Sequence, residues 1–238
     1  MGSQLGKMKA SILLESLKQS GVVLFRRLLS GQEKMSERSI EYSFVFMNVG
    51  RPPATVLDVG CSGSDLPLML SAHGFLVYGI DVRDYHVENP TFTFRREAMT
   101  STSFPDDFFD IITAISTMEH LGLSGRYGIE EDDPLADKMA MKEVDRILKK
   151  DGRLILTVPY GRFNVFKPFH KVYDEKHLTD LISDFQVLKE EYFVRKRNGF
   201  WVSTSERIAS RTMPYVISKL GVVIDHHYAL ACLVLKPK

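Results

Sequence analysis

The sequence has few cysteines, no excess of charge of one sign and no apolar run long enough to cross a membrane. Its 238 residues include only two cysteines, which excludes a disulfide framework and is typical of a reducing compartment. The 31 basic and 30 acidic residues leave a net charge of +1, so no polyanion-binding signature is present. No run approaches the roughly 18 apolar residues of a membrane span, and no signal peptide is evident. These absences favour a cytoplasmic protein without a nucleic-acid partner.

A strand, a loop of small residues, a helix and a second strand are predicted one after another in residues 55–81. The apolar residues 56–59 predict the first strand, and glycines and serines follow it, as where a backbone turns sharply or approaches a ligand. Leucines then predict a helix, and residues 75–80 predict a strand that leads to Asp81. This order is typical of doubly wound nucleotide-binding sheets, which bind ligands outside the carboxyl ends of their strands.

The loop between the first strand and the helix discriminates between cofactors. Residues 60–65 read Gly-Cys-Ser-Gly-Ser-Asp, which departs from the dinucleotide pattern G-x-G-x-x-G at two places. Asp58 before the loop and Asp65 after it are poorly placed for an anionic pyrophosphate and suit a cationic ligand. The structural alternative is an ordinary strand, turn and helix that binds nothing.

The run from Asp58 to Ser64 resembles the motif D-x-G-C-G-x-G of class I S-adenosylmethionine-dependent methyltransferases, with serines replacing two glycines. Residues 103–110 resemble the family's run before its fourth strand, and residues 116–120 resemble its frequent Glu-His after that strand. The match covers residues 55–161. It implies an α/β fold with a doubly wound, mostly parallel, seven-stranded Rossmann-like sheet. It also implies S-adenosyl-L-methionine as cofactor and S-adenosyl-L-homocysteine as product.

The resemblance also assigns residues to the cofactor. Asp58 is expected to face the amino group, Asp81 the two ribose hydroxyls and Glu97 the adenine amino group. The alternative for Glu97 is a solvated acid at a strand end. The expected cofactor-binding residues are Asp58, Gly60, Cys61, Ser62, Asp81, Val82, Glu97, Ala98, Met99 and Ser116.

Two histidines are the candidate catalytic residues. His120 follows the fourth predicted strand, and His170 lies beyond the fifth, so both are expected at the acceptor side. An ordinary histidine pKa near 6.5 suits proton removal at neutral pH. The alternative is that His120 caps or packs a helix. No metal site is expected, because the adjacent His226 and His227 rarely chelate one ion and no third ligand is suitably spaced.

The remainder of the chain divides into an extension and an insertion. Residues 1–50 are expected to form a helical extension or lid, with one helix at 37–47, and residues 51–238 the methyltransferase domain. A helical cap is expected at about 198–226, over the acceptor site or in an oligomer contact. The basic, amphipathic residues 8–29 suggest packing on the domain or weak contact with an anionic membrane surface.

The predicted function is methyl transfer to an O or N atom of a small-molecule or glycan-like acceptor. Residues 125–128, Gly-Arg-Tyr-Gly, resemble a little-characterised methyltransferase subgroup associated with surface-glycan genes. One alternative is a non-catalytic S-adenosylmethionine-binding module or the partner of an active subunit. Another is an NAD(P)-linked oxidoreductase, which the loop pattern disfavours.

Overall fold

The structure, a computed structural model, describes residues 35–86, 91–125, 127, 129–219 and 222–238. The basic segment 8–29 therefore lies outside the described residues. The helices are α1 (Glu37–Asn48), α2 (Leu66–Ala72), α3 (Ala136–Ile147), α4 (Glu175–Leu181) and α5 (Glu206–Ala209). The strands are β1 (Thr55–Val59), β2 (Leu76–Asp81), β3 (Thr93–Arg96), β4 (Phe109–Ile115), β5 (Leu148–Tyr160), β6 (Asn164–Phe166), β7 (His170–Val172), β8 (Phe185–Arg195), β9 (Trp201–Thr204), β10 (Tyr215–Lys219), β11 (Val222–His227) and β12 (Ala229–Pro237).

Eight of these strands form one mixed sheet in the order β3-β2-β1-β4-β5-β12-β8-β9. The first five are parallel, and β12 runs antiparallel between β5 and β8. Strand order reverses at β1, which pairs with β2 on one side and β4 on the other. A ligand crevice is expected outside the carboxyl ends of the strands at such a point. The predicted doubly wound α/β fold is confirmed, with β9 as one strand more than expected.

Apolar residues cover both faces of the sheet. Leu57, Ile112 and Leu154 pack with α3 and α4 on one face. Val56 and Ile155 pack on the other face with α1 and α2. Successive residues of a strand point to opposite faces, so these neighbours separate into two cores. The sheet is thereby held between two helical layers, and its loop edge is left for the site.

The helical character predicted for residues 198–226 is wrong. The segment begins with β9, which pairs antiparallel with β8, and continues through the single-turn helix α5. It ends in the antiparallel hairpin of β10 and β11. β-branched residues such as Val202, Val216 and Ile217 favour extended backbone, which explains the strands.

Helix α1 begins at a cap and places one carboxylate inside the molecule. The Ser36 side chain accepts a hydrogen bond from the Arg38 N–H at the start of the helix. Phe44 and Val45 are buried against the sheet, and Glu41, one turn earlier on the same face, is fully buried. No helix among the described residues is long and apolar enough to span a membrane.

Candidate active site at the carboxyl ends of the parallel strands

The turn after β1 brings bare backbone against the segment that follows β4. Gly60 has φ +74° and donates its N–H to the Ile80 carbonyl at 2.8 Å. A Cβ at Gly60 would lie 2.6 Å from the Thr117 side chain, so no other residue fits there. Gly63 also has a positive φ, +81°, and a Cβ there would meet nothing within 4 Å. The turn is therefore closed on its inner side and open at Gly63.

Asp81 ends β2 beside this turn, and both of its carboxylate oxygens accept hydrogen bonds. Oδ2 accepts from the Ser62 N–H at 2.9 Å, and Oδ1 accepts from the Arg83 N–H at 2.8 Å. The Arg83 guanidinium adds two donors, Nε to Oδ1 at 3.0 Å and Nη2 to Oδ2 at 2.9 Å. Each Asp81 oxygen therefore accepts from one of the two neighbouring nitrogens of the Arg83 guanidinium. A carboxylate that binds two vicinal ribose hydroxyls accepts from a pair of donors in the same way. The two carboxylate oxygens fit the ribose of the expected cofactor in chemistry, and the contact of Asp81 with that ribose stays a prediction.

The Asp58 carboxylate is buried, although it is predicted to face the amino group of the cofactor. It lies beneath the turn and accepts a hydrogen bond from the Thr113 hydroxyl at 2.7 Å. Burial raises the pKa of Asp58 to about 7, although the Thr113 hydroxyl opposes the shift. Cys61 is also buried, and burial raises the pKa of its thiol, so it is no nucleophile. Contact of Asp58 with the cofactor's amino group stays a prediction.

The residues predicted for the adenine ring are dispersed around the end of β3. Glu97 accepts hydrogen bonds from the Ser103 N–H at 2.9 Å and the Ser103 hydroxyl at 2.6 Å. Val82 and Ala98 are exposed, as walls of an open site would be, whereas Met99 is buried in the core. Glu97 in this structure holds its own loop together. Its adenine role and those of Val82, Ala98 and Met99 stay predictions.

Ser116 joins α1 to the ends of β4 and β5. Its hydroxyl donates to Oε1 of Glu41 at 2.5 Å, and the Thr157 hydroxyl donates to the same oxygen at 2.7 Å. Arg38 donates to Oε2 of Glu41 at 3.1 Å and to the Ile115 carbonyl at 3.2 Å. Burial raises the pKa of Glu41 even though Arg38 is beside it. The Ser116 hydroxyl is therefore already hydrogen-bonded to Glu41, and its contact with the cofactor stays a prediction.

The two predicted catalytic histidines meet at this edge. Their ring centroids are 6.4 Å apart. Nδ1 of His120 lies 2.5 Å from the Phe169 carbonyl oxygen, which only accepts, so Nδ1 carries the proton. In the neutral ring Nε2 is then the nitrogen that can take up a proton. Oε1 of the buried Glu119 lies 3.8 Å from this Nε2.

Three charged residues of this region have no site role predicted from the sequence: Glu41, Arg83 and Glu119. The signal for Glu119 was present, because it belongs to the Glu-His pair that follows β4. Arg83 stands two residues after Asp81, close enough to reach back to it. Glu41 carries no local signal, because its partners lie far away in the sequence.

The glycine turn, the carboxylate at the end of β2 and the sheet order are those of the class I S-adenosylmethionine-dependent methyltransferase fold. Residues 57–156 match the family model described as a methyltransferase domain, so this part of the chain belongs to that family. S-Adenosylmethionine is accordingly the cofactor. No curated protein matches the sequence significantly.

Solved structures with this fold include enzymes of differing activity. The 1,6-didemethyltoxoflavin-N1-methyltransferase of Burkholderia thailandensis, with its acceptor and S-adenosylhomocysteine bound, matches with TM-score 0.58 and 14% identity over 97% of this chain and 90% of that one. A possible histamine N-methyltransferase of Thermotoga maritima matches with TM-score 0.52 and 15% identity over 82% and 87%. The cyclase SpnF matches with TM-score 0.57 and 16% identity over 84% and 80%. At these identities the likeness shows the fold alone.

Arg83→Ala is expected to strengthen S-adenosylhomocysteine binding. If Asp81 accepts from the ribose hydroxyls as predicted, they need the same two oxygens that Arg83 now occupies, and the cofactor then has to displace the guanidinium. Because Arg83 is about half exposed, releasing this ion pair costs only about 1 kcal/mol, or roughly fivefold in affinity. Calorimetry measures the difference, with Lys236→Ala on the exposed Asp151 pair as the control. Weaker binding of Arg83→Ala would mean that Arg83 holds the cofactor instead.

Proposed function

We propose that the protein transfers the methyl group of S-adenosylmethionine to an O or N atom of a small-molecule or glycan-like acceptor. The observation that carries the proposal is the meeting of His120 and His170 beside the glycine turn. They give a proton acceptor at the edge where the cofactor is expected. The N-methyltransferases among the structures of the same fold support a small acceptor. The glycan-like alternative rests on residues 125–128, of which Arg126 and Gly128 lie outside the described residues.

The chain's own residues supply positioning and proton transfer. The bound cofactor supplies an electrophilic methyl group on a sulfonium. Asp81 orients the ribose, and the glycine turn lets backbone approach the cofactor closely. His120 takes a proton from the acceptor at Nε2 while its Nδ1–H donates a hydrogen bond to the Phe169 carbonyl. Most of the rate enhancement comes from holding donor and acceptor in line.

The cofactor assignment is tested at Asp81. Asp81→Ala is expected to weaken S-adenosylhomocysteine binding by about 1–3 kcal/mol, because hydrogen-bonding groups of the ribose lose their partner. Calorimetry gives the value, and Asp110→Ala, a carboxylate at the opposite end of the sheet, is the control. Tight NADH binding by the wild type with no response to S-adenosylhomocysteine would contradict the assignment.

A second candidate function is binding without methyl transfer. The likeness of fold to the cyclase SpnF favours keeping it, because this fold also supports other reactions. Binding of S-adenosylmethionine without turnover, across amine and sugar acceptors, would support a binding module or a partner subunit.

The remaining expectations on location and organisation also stay proposals. Both cysteines are buried and unpaired, which supports a reducing, cytoplasmic compartment. Residues 1–50 are proposed as an extension or lid on the domain of residues 51–238, and residues 8–29 as the part that contacts the domain or a membrane surface. Residues 198–226 are proposed to border the acceptor site or an oligomer contact.

A further inference from the structure

Glu119 has a buried carboxylate oxygen that no described residue satisfies. The side chain is 2% exposed, and it lies in the 3-10 turn Met118–His120 after β4. Oε1 is near His120, whereas Oε2 is buried and has no hydrogen-bond partner among the described residues. Leaving a buried acceptor unpaired costs about 1–3 kcal/mol. A carboxyl kept in such a place calls for a partner beyond the described residues.

The charged groups around Glu119 are mainly acidic. Helix α1 brings Glu37, Arg38 and Glu41 towards it, and Arg38 is already bound to Glu41 and the Ile115 carbonyl. On its other sides, the charge of Glu119 contributes to raising the pKa of the Tyr173 and Tyr228 hydroxyls. His120 is its neighbour in the chain. Burial raises the pKa of Glu119 to about 8, and Glu41 adds to the shift. The carboxyl is thus protonated at neutral pH and would ionise if a cation approached.

In the chain, Glu119 stands between a residue that packs on the cofactor turn and one of the two histidines. Two residues before it, the Thr117 hydroxyl donates to the Val59 carbonyl at 3.0 Å and its side chain packs on Gly60. One residue after it, His120 faces His170. Glu119 therefore belongs to the short segment that joins the cofactor turn to the two histidines.

We propose that the methyl acceptor is an amine and that Oε2 of Glu119 receives one of its N–H groups. The proposal rests on the proposed methyl transfer and narrows its acceptor to nitrogen. An ammonium group supplies both the hydrogen bond and the positive charge that this acidic surrounding lacks, whereas an alcohol supplies only the hydrogen bond. Small amines and amino sugars both belong to this class.

The proton and electron balance assigns one role to each residue. The acceptor arrives as an ammonium ion and gives one proton to Nε2 of His120. The nitrogen lone pair then forms the bond to the methyl carbon, and the carbon–sulfur bond breaks with its electrons left on sulfur. The product is a methylammonium ion, whose N–H stays on Glu119. Glu119 therefore contacts the reacting nitrogen before and after transfer.

Sinefungin tests this proposal without a known acceptor, because it carries an ammonium-bearing carbon in place of the methylsulfonium centre. The wild type is expected to bind sinefungin more tightly than S-adenosylhomocysteine. Glu119→Gln is expected to lose about tenfold in sinefungin affinity and to keep its S-adenosylhomocysteine affinity within about threefold. Glu191→Gln, the same change on a remote surface strand, is the control and leaves both affinities unchanged.

A second readout is the titration of the Glu119 carboxyl, followed by carbon NMR in the wild type and assigned by its absence in Glu119→Gln. Sinefungin is expected to lower the midpoint relative to the S-adenosylhomocysteine complex, because a nearby cation favours the carboxylate. An unchanged sinefungin preference in Glu119→Gln, or an unmoved midpoint, would overturn the proposal. Failure of the wild type to bind S-adenosylhomocysteine at all would instead overturn the proposed function on which it rests.

Discussion

Replacing His120 by alanine is expected to slow methyl transfer by about 10²–10⁴-fold while leaving cofactor affinity unchanged. The hydrogen bond from Nδ1 to the Phe169 carbonyl fixes the tautomer and leaves Nε2 as the site of proton uptake. In the wild type, turnover should rise with pH as a histidine loses its proton. Steady-state rates over a pH series, with calorimetry of S-adenosylhomocysteine beside them, separate the two quantities.

The matched variant is His120→Asn. Its side-chain amide can still donate to the Phe169 carbonyl, but it takes up no proton at neutral pH. A base at His120 predicts that Asn is as slow as Ala. His73→Ala, at the end of α2, controls for the loss of a histidine elsewhere. A loss of less than tenfold, or an Asn variant near wild-type rate, would return His120 to a packing role.

Glu41→Ala is expected to lower the free energy of unfolding by about 1–3 kcal/mol, the range for leaving buried hydrogen-bonding groups unpaired. The change leaves the Ser116 and Thr157 hydroxyls and the Arg38 guanidinium without their common acceptor. It also opens a hole between α1 and the sheet. Denaturant unfolding followed by circular dichroism measures the loss.

The control for Glu41 is an exposed ion pair. Asp84→Ala removes the partner of Arg96, and both side chains are more than half exposed, so a change below about 1 kcal/mol is expected. A Glu41→Ala loss as small as that of Asp84→Ala would show that the network contributes little. The helix would then be held mainly by Phe44 and Val45.

Local patterns were sufficient for most of the sheet. The strand predicted at residues 56–59 is β1 with one residue added, and the helix predicted at 37–47 is α1 with one residue added. The turn after β1 and the carboxylate of Asp81 also follow from short runs of sequence. These features depend on neighbours in the chain, so a single sequence is enough to predict them.

Features that depend on distant partners were missed. A helical cap is predicted at about 198–226, but the β-branched residues of this segment lie in strands. Glu41 looks like a surface glutamate of an amphipathic helix until the fold sets it beside Thr157. The sequence marks Asp81 as a candidate ligand contact. It does not show that the Arg83 side chain already binds the Asp81 carboxylate.

Helix α1 contacts both the turn after β1 and the neighbouring strands β4 and β5. Tyr42 shares a hydrogen bond of 2.8 Å with the Ser64 hydroxyl in the turn after β1, while Glu41 accepts hydrogen bonds from Ser116, after β4, and from Thr157 in β5. A ligand that settles this helix in place makes the second ligand easier to bind, and linkage requires the effect to be equal in both directions. We therefore expect S-adenosylhomocysteine to raise the affinity for the acceptor, and the acceptor to raise the affinity for S-adenosylhomocysteine by the same factor.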